Sequence, residues 1–178
     1  MEIQELIQRF SGSTDRQCKA IFSTFFIIGN RLQTLFDHNI PEITLKQFML
    51  LSVIRQSKEP LTFTESGKLL GCSRQNIKKL AYALEKKGFV DVKKKENDIR
   101  AFQICPTKKC GQYFETVFFS YQKDLNHLFE IYTDEEIQQL FRLMMKLYDG
   151  TDHLEQKLRK EKTREKKQLS LQKGDAHE

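Results

Sequence analysis

The 178-residue chain carries 30 basic and 24 acidic side chains, a formal charge of +6, and 39% of its residues are hydrophobic. That length fits one domain, or one domain with appendages, and buries a core without disulfide staples. No run approaches the roughly 18 consecutive apolar residues of a membrane span, and the opening MEIQELIQRF alternates too much to be a signal peptide.

The reading is therefore a cytoplasmic protein with no membrane partner. Its four cysteines, Cys18, Cys72, Cys105 and Cys110, are expected as reduced thiols. They form no metal-type pair and the histidines lie far from them, so no metal and no cofactor are expected.

Residues 2–10 suggest an amphipathic turn or two through Ile3, Leu6, Ile7 and Phe10. Four Thr-x-x-Gln/Glu spacings then mark helix starts, at Thr14/Gln17, Thr44/Gln47, Thr62/Glu65 and Thr133/Glu136. In such a box the hydroxyl satisfies a free backbone N–H while the later side chain reaches back. The first predicted helix covers about 14–37, with Ile21, Phe25, Ile28, Leu32, Leu35 and Phe36 inward. Pro41 breaks the chain. A second helix spans about 44–57, with Phe48, Leu51 and Ile54 inward, and a short third covers about 62–70 until Gly71 ends it.

The fourth helix is capped by Ser73 and stopped by Gly88. Its apolar stripe is Ile77, Leu80, Ala81 and Leu84, yet its first turns carry Arg74, Gln75, Asn76, Lys78 and Lys79. Phe89–Val92 and Ala101–Ile104 read as two strands, joined by a basic loop that holds Lys93, Lys94, Lys95, Asp98 and Arg100. Pro106-Thr107 starts a helix that runs to about Tyr132. The last helix opens at Thr133, with a stripe through Ile137, Leu140, Phe141, Met144, Leu147 and Tyr148 that resumes at Leu154 and Leu158. After Leu158 apolar residues nearly vanish, which reads as a frayed helix end and a basic flexible tail.

Helix, glycine turn, helix, strand, basic loop and strand make the plan of a winged helix-turn-helix. A recognition helix enters the major groove N-terminus first, so its early side chains must reach base edges. Gln75 and Asn76 suit adenine and Arg74 suits guanine. Ser73 and the N-terminal N–H groups suit phosphate oxygens. The wing lysines suit phosphates, and Arg100, oriented by Asp98, suits a narrow minor groove.

The residues Leu69-Leu70-Gly71-Cys72-Ser73-Arg74-Gln75-Asn76-Ile77, then Leu84-Glu85-Lys86-Lys87-Gly88-Phe89-Val90, then Asp98-x-Arg100 and Ile104-Cys105-Pro106-Thr107 with Gly111, resemble the MarR family of transcriptional regulators. The order and gaps agree over about residues 44–114. The chain departs from the pattern in three ways. Ser66 and Gly67 stand where Leu and Ala are usual and predict a loosely packed third helix. Ile99 replaces a polar residue of the wing, and Pro106 precedes Thr107.

The resemblance implies a mainly α fold with a small β-hairpin wing, flanked by N- and C-terminal dimerisation helices. The expected layout is 1–40 for dimerisation, 41–106 for DNA binding, 107–158 for dimerisation and 159–178 for the tail. The stripes of the first and last helices also exceed what one small winged domain covers, which places Ile21, Phe25, Ile137, Leu140, Met144 and Leu147 at the interface. The implied function is a homodimeric repressor on pseudo-palindromic double-stranded DNA, released by a small lipophilic or phenolic ligand.

Plainer readings stand beside these. Lys93–Lys95 also keep an edge hairpin soluble. The basic tail suits a solvated extension, and Phe22, Phe25, Phe26, Phe36, Phe114, Phe118 and Phe119 suit a core as well as a ligand pocket. Peroxide sensing at Cys18 lacks flanking tyrosines, and Cys105 and Cys110 flank a strand–helix corner where a disulfide is conceivable. His38, His127 and His153 read as surface residues. No catalytic constellation stands out. The rival from another class is a winged helix that serves only protein interaction.

Overall fold

Thr44, Thr62 and Thr133 cap helices as their sequence predicts. The Thr44 hydroxyl accepts from the Gln47 N–H while the Gln47 side chain accepts from the Thr44 N–H, and Thr62/Glu65 and Thr133/Glu136 repeat the exchange. The computed structural model describes residues 3–39, 42–95 and 98–174, and the side chains of 6, 98–100, 118, 119 and 166–174 lie outside that description. In chain order the elements are α1 (Ile3–Phe10), α2 (Thr14–Asn39), α3 (Leu45–Gln56), β1 (Leu61–Thr62), α4 (Phe63–Leu70), α5 (Arg74–Lys86), β2 (Val90–Lys95), β3 (Asp98–Pro106), α6 (Lys108–Phe129) and α7 (Asp134–Gly174). They divide into two compact units, Met1–Tyr121 and Gln122–Glu178, with α6 beginning in the first and ending in the second.

In the first unit the strands form an antiparallel sheet in the order β1-β3-β2. Ile104 of β3 pairs with Leu61 on one side and with Val92 on the other. Leu50, Leu51, Ile77, Leu84, Phe89 and Ile104 are fully inaccessible and tie α3, α5 and the sheet together. Each such side chain contributes about 1.5–3 kcal/mol relative to exposure. The N-terminal part of α6 closes this core through Cys110, Tyr113, Phe114 and Val117, with Phe48 and Phe114 rings 5.1 Å apart.

Several expectations are corrected. The first long helix is capped by Ser13, whose hydroxyl accepts from the Arg16 N–H, one residue before the predicted Thr14. Along α2 only Phe36 is buried by this chain; Ile21, Phe25, Ile28 and Leu35 are exposed and Leu32 is half-buried. The strand β1 was not expected, and its two residues are defined only by their pairing to β3, about forty positions away. The wing strands are longer than predicted, since Lys93–Lys95 belong to β2, and Pro106 ends β3 before α6 begins.

The expected looseness of α4 is also overturned. Ser66 and Gly67 are both buried, and a Cβ on Gly67 would lie 2.6 Å from the Cys72 carbonyl oxygen. Glycine is what lets α4 approach the turn that follows it. Finally, the tail does not fray at residue 159, for α7 continues to Gly174. Between Thr151 and Lys173 it contains neither Gly nor Pro, and it is rich in Lys, Glu, Arg and Gln, which favour helix. Arg159 pairs with Glu155 one turn earlier at 2.6 Å.

In the second unit, α7 exposes Phe141, Leu143, Met144, Met145, Leu147, Tyr148, Leu154 and Leu158. No helix among the described residues is long and apolar enough to cross a membrane. No group of three or more His, Cys, Asp or Glu among them is arranged to hold a metal ion.

Candidate nucleic-acid interface

The turn between α4 and α5 is set by two residues. Gly71 adopts φ 63°, ψ 27°, a left-handed conformation that needs glycine. Ser73 is extended at φ −66°, ψ 148°, and its hydroxyl accepts from the Asn76 N–H at 3.2 Å. The cap leaves the hydroxyl proton able to donate to an anion in front of the helix. The remaining N-terminal N–H groups of α5 point the same way and favour negative charge there.

From this start α5 separates its faces sharply. Ile77, Ala81 and Leu84 are completely buried, whereas Arg74, Gln75, Asn76, Lys78 and Lys79 are exposed. The core-facing stripe therefore fixes which way the long polar side chains project. Lys78 is held over the Tyr82 ring, its Nζ 5.8 Å from the centroid, a local cation–π contact that leaves its charge at the surface.

The wing is placed by β2 and β3. Lys93 and Lys94 are exposed and Lys95 is half-buried. Lys93 Nζ is 3.2 Å from the Asp91 carboxylate, so it is partly neutralised. Lys95 pairs in register with Asp98 across the hairpin, next to an irregularity at Lys94/Lys95. Asp98 and Arg100 lie on β3, but their side chains fall outside the described residues, and so does the expected contact between them.

Three residues that sequence reasoning passed over hold these parts in place. The Glu85 carboxylate accepts from the Val92 N–H at 2.7 Å and so joins the end of α5 to the outer edge of β2. Lys87 Nζ donates to the Glu42 carbonyl at 2.6 Å and to Gln47 Oε1 at 3.2 Å. Lys109 Nζ donates to Glu42 Oε2 and to the Lys87 carbonyl, both at 3.0 Å, and sits 4.4 Å from the Phe89 ring centroid. Thr107 adds a hydroxyl bond of 2.8 Å to the Gly88 carbonyl. Lys87 and Lys109, basic in sequence, are thus engaged in the scaffold. The only available signal was the LEKKG string itself, because their partners lie 45 and 67 positions away.

The remaining expected residues are placed as follows. Ile21 and Phe25 are exposed on α2 of the first unit, and Met144 and Leu147 are exposed on α7 of the second, where Ile137 and Leu140 are half-buried. The four cysteines are free, with Cys18 exposed, Cys72 and Cys105 half-buried and Cys110 buried. Burial pushes the Cys110 thiol up from its usual range. It also pushes the Tyr113 phenol up to about 12, helped by nearby Glu42. His38 and His127 are exposed with local partners, Thr34 and Glu130, and His153 is exposed. Among the phenylalanines, Phe36 and Phe114 are core residues and Phe22, Phe25 and Phe26 are exposed.

The MarR family model matches residues 43–102, the segment that holds α3 to the wing. Over this segment the chain is similar to the MarR family. The solved structures it resembles share its winged helix-turn-helix fold. The transcriptional repressor MprA of Escherichia coli (strain K12) is 27% identical over 130 residues, 73% of each chain. The S. aureus MepR–DNA complex shares the fold at a TM-score of 0.65 and 19% identity, over 72% of this chain and 96% of that one. CouR of Rhodococcus jostii RHA1 bound to p-coumaroyl-CoA has a TM-score of 0.62 and 15% identity, over 71% and 90%.

Proposed function

We propose that this protein is a MarR-family transcriptional regulator, a homodimeric repressor that reads a pseudo-palindromic operator with α5 and its wing. The observation that carries the reading is the division of α5: Ile77, Ala81 and Leu84 wholly buried, and Arg74, Gln75, Asn76, Lys78 and Lys79 wholly on the outside. A winged helix that served only protein interaction has no need of five long polar side chains on that face. Arg74, Gln75 and Asn76 read bases; Ser73, Lys78, Lys79 and the wing lysines hold phosphates; Asp98 orients Arg100. The name of the related MprA supports repression. The DNA in the MepR structure supports a duplex as the partner.

The dimer reading rests on apolar side chains that one chain leaves uncovered. Ile21 and Phe25 on α2, and Ile137, Leu140, Met144 and Leu147 on α7, meet a second copy. The layout that goes with it is dimerisation by 1–40 and 107–158 around a DNA-binding 41–106, in a cytoplasmic protein. The p-coumaroyl-CoA in CouR supports release by a small lipophilic or phenolic ligand.

Selection of bound sites from random duplex DNA tests the reading. With about 6–10 phosphates neutralised per dimer, the slope of log K against log salt lies near −5 to −9. Gln75→Ala or Asn76→Ala relaxes specificity at one or two positions by about 1–3 kcal/mol. A slope near zero removes DNA binding from the reading, and a uniform loss on every sequence for both variants makes these residues phosphate contacts only.

A further inference from the structure

The continuation of α7 past Leu158 changes the meaning of the basic tail. Residues 157–173 hold eight basic and two acidic side chains, a charge equal to the +6 of the whole chain, so the rest of the molecule balances at 22 of each sign. Because the backbone of this stretch is helical, the charged side chains from Lys157 to Glu165 have fixed phases. Lys157, Lys160 and Arg164 recur at three- and four-residue intervals and share one face. Arg159 and Lys162 share a second. Leu154 and Leu158 are followed at the same interval by Glu161 and Glu165, so both acidic residues of the stretch extend the apolar seam beside the basic faces, one turn from Lys157 and Lys162. All five basic side chains are exposed, and the only ion pair in which any of them takes part among the described residues is Arg159 with Glu155.

Like charges one turn apart destabilise an isolated helix. A helix that keeps them is relieved by a polyanion along its side. At 1.5 Å per residue the stretch is about 25 Å long, and B-DNA offers one phosphate charge per ~1.7 Å of axis. A membrane surface fits poorly, because interfacial helices insert an apolar face and residues 159–168 contain no apolar side chain.

We propose that α7 from Lys157 onward is a second anion-binding surface, whose occupant is the phosphate backbone of duplex DNA flanking the operator. This rests on the DNA-binding reading above and adds to it a contact outside the recognition helix and wing. It carries no sequence preference, since a lysine-rich face on phosphates only adds electrostatic affinity.

The test uses the full chain and the variant Lys157→Gln/Lys160→Gln/Arg164→Gln, in which glutamine preserves helix propensity. Binding is measured against salt on two duplexes, one trimmed to the selected site and one extended at both ends. The expected result is coincidence of the two proteins on the trimmed duplex. On the extended duplex the variant's slope is shallower by about 2–3 per chain, with unchanged helicity by circular dichroism. Equal slopes on the extended duplex overturn the proposal while the steep slope on the trimmed duplex keeps the DNA-binding reading. If the wild type shifts neither duplex, both fall.

Discussion

In the winged region Ile77, Leu84, Phe89 and Ile104 are completely inaccessible, whereas Phe22 on α2 is 65% exposed and Phe141 and Tyr148 on α7 are 64% and 66% exposed. The same residue types thus meet opposite fates within one chain. Around α5 the stripe Ile77, Ala81 and Leu84 is covered by a three-stranded sheet, α3 and the start of α6. Along α2 and α7 the apolar faces are long, periodic and unfinished. A short chain segment completes the first kind of surface by itself, and the second kind is left exposed within its own unit.

The largest effects divide along that line. Phe89→Ala opens a cavity in the closed region and lowers stability by about 3–5 kcal/mol, read as a fall in the denaturation midpoint with no change in sedimenting mass below it. Leu140→Asp places a charge on the unfinished face. It is expected to cost several kcal/mol and to shift sedimentation from dimer to monomer. A wild type that sediments as a folded monomer at micromolar concentration would break the contrast.

The next pair sits inside the closed region. Gly67→Ala gains helix propensity of up to about 1 kcal/mol, but its methyl meets the Cys72 carbonyl oxygen at 2.6 Å. A net loss of about 1–3 kcal/mol is expected. Its neighbour gives the opposite sign. Ser66 Oγ is buried with no hydrogen-bond partner, and Ser66→Ala removes that burden and raises stability by about 1 kcal/mol. Thermal denaturation of both variants checks the pair, and stabilisation by Gly67→Ala would show that α4 is not held against the turn.

A smaller and more local effect is expected at Glu85. Glu85→Ala removes a charge-assisted bond of about 1.5–3 kcal/mol and frees the Val92 N–H. Amide exchange should quicken at Val92 and its neighbours on β2 while the Leu50 and Leu51 amides stay protected. Uniform quickening would make Glu85 a general stabiliser and not a wing fastener.

The smallest effect is acid-dependent. The Thr62 backbone N–H, and then the Thr62 hydroxyl, hold the Glu65 carboxyl below its usual range. A depressed carboxylate pKa stabilises the fold above the unfolded value, and that contribution disappears as pH falls through the folded value. Glu65→Gln should therefore flatten the acid limb of the stability profile slightly, since the group lies mostly in solvent. An unchanged acid limb would mean that the capping box of α4 contributes nothing through its charge.

How much of this was legible beforehand depends on the range of the interaction. Thr44, Thr62, Thr133 and Ser73 act on residues three positions away, and such caps can be read from sequence. Ser13 and Thr14 are adjacent hydroxyls, and nothing local says which one is the cap. Lys93–Lys95 looked too polar for a strand, yet edge strands favour lysine. The tail looked too polar for a helix, since apolar periodicity was the signal sought and this helix carries none after Leu158. The roles of Glu85, Lys87 and Lys109 depend on chain crossings that one sequence does not reveal. For the candidate interface, the motif placed Arg74, Gln75, Asn76, Lys78 and Lys79 on an outer face, and the structure adds what fixes that face.

Glu42 adopts φ 66°, a left-handed conformation unusual for a side chain of its kind, and it receives Lys87 through its carbonyl and Lys109 through its carboxylate. This knot straddles both ends of the family match, which begins at 43 and stops at 102. Anyone excising the reading head for spectroscopy, or transplanting it between relatives, should therefore cut outside 42 and 109. A graft made at the motif boundaries would sever the fastening and leave the Lys87 ammonium without its carbonyl.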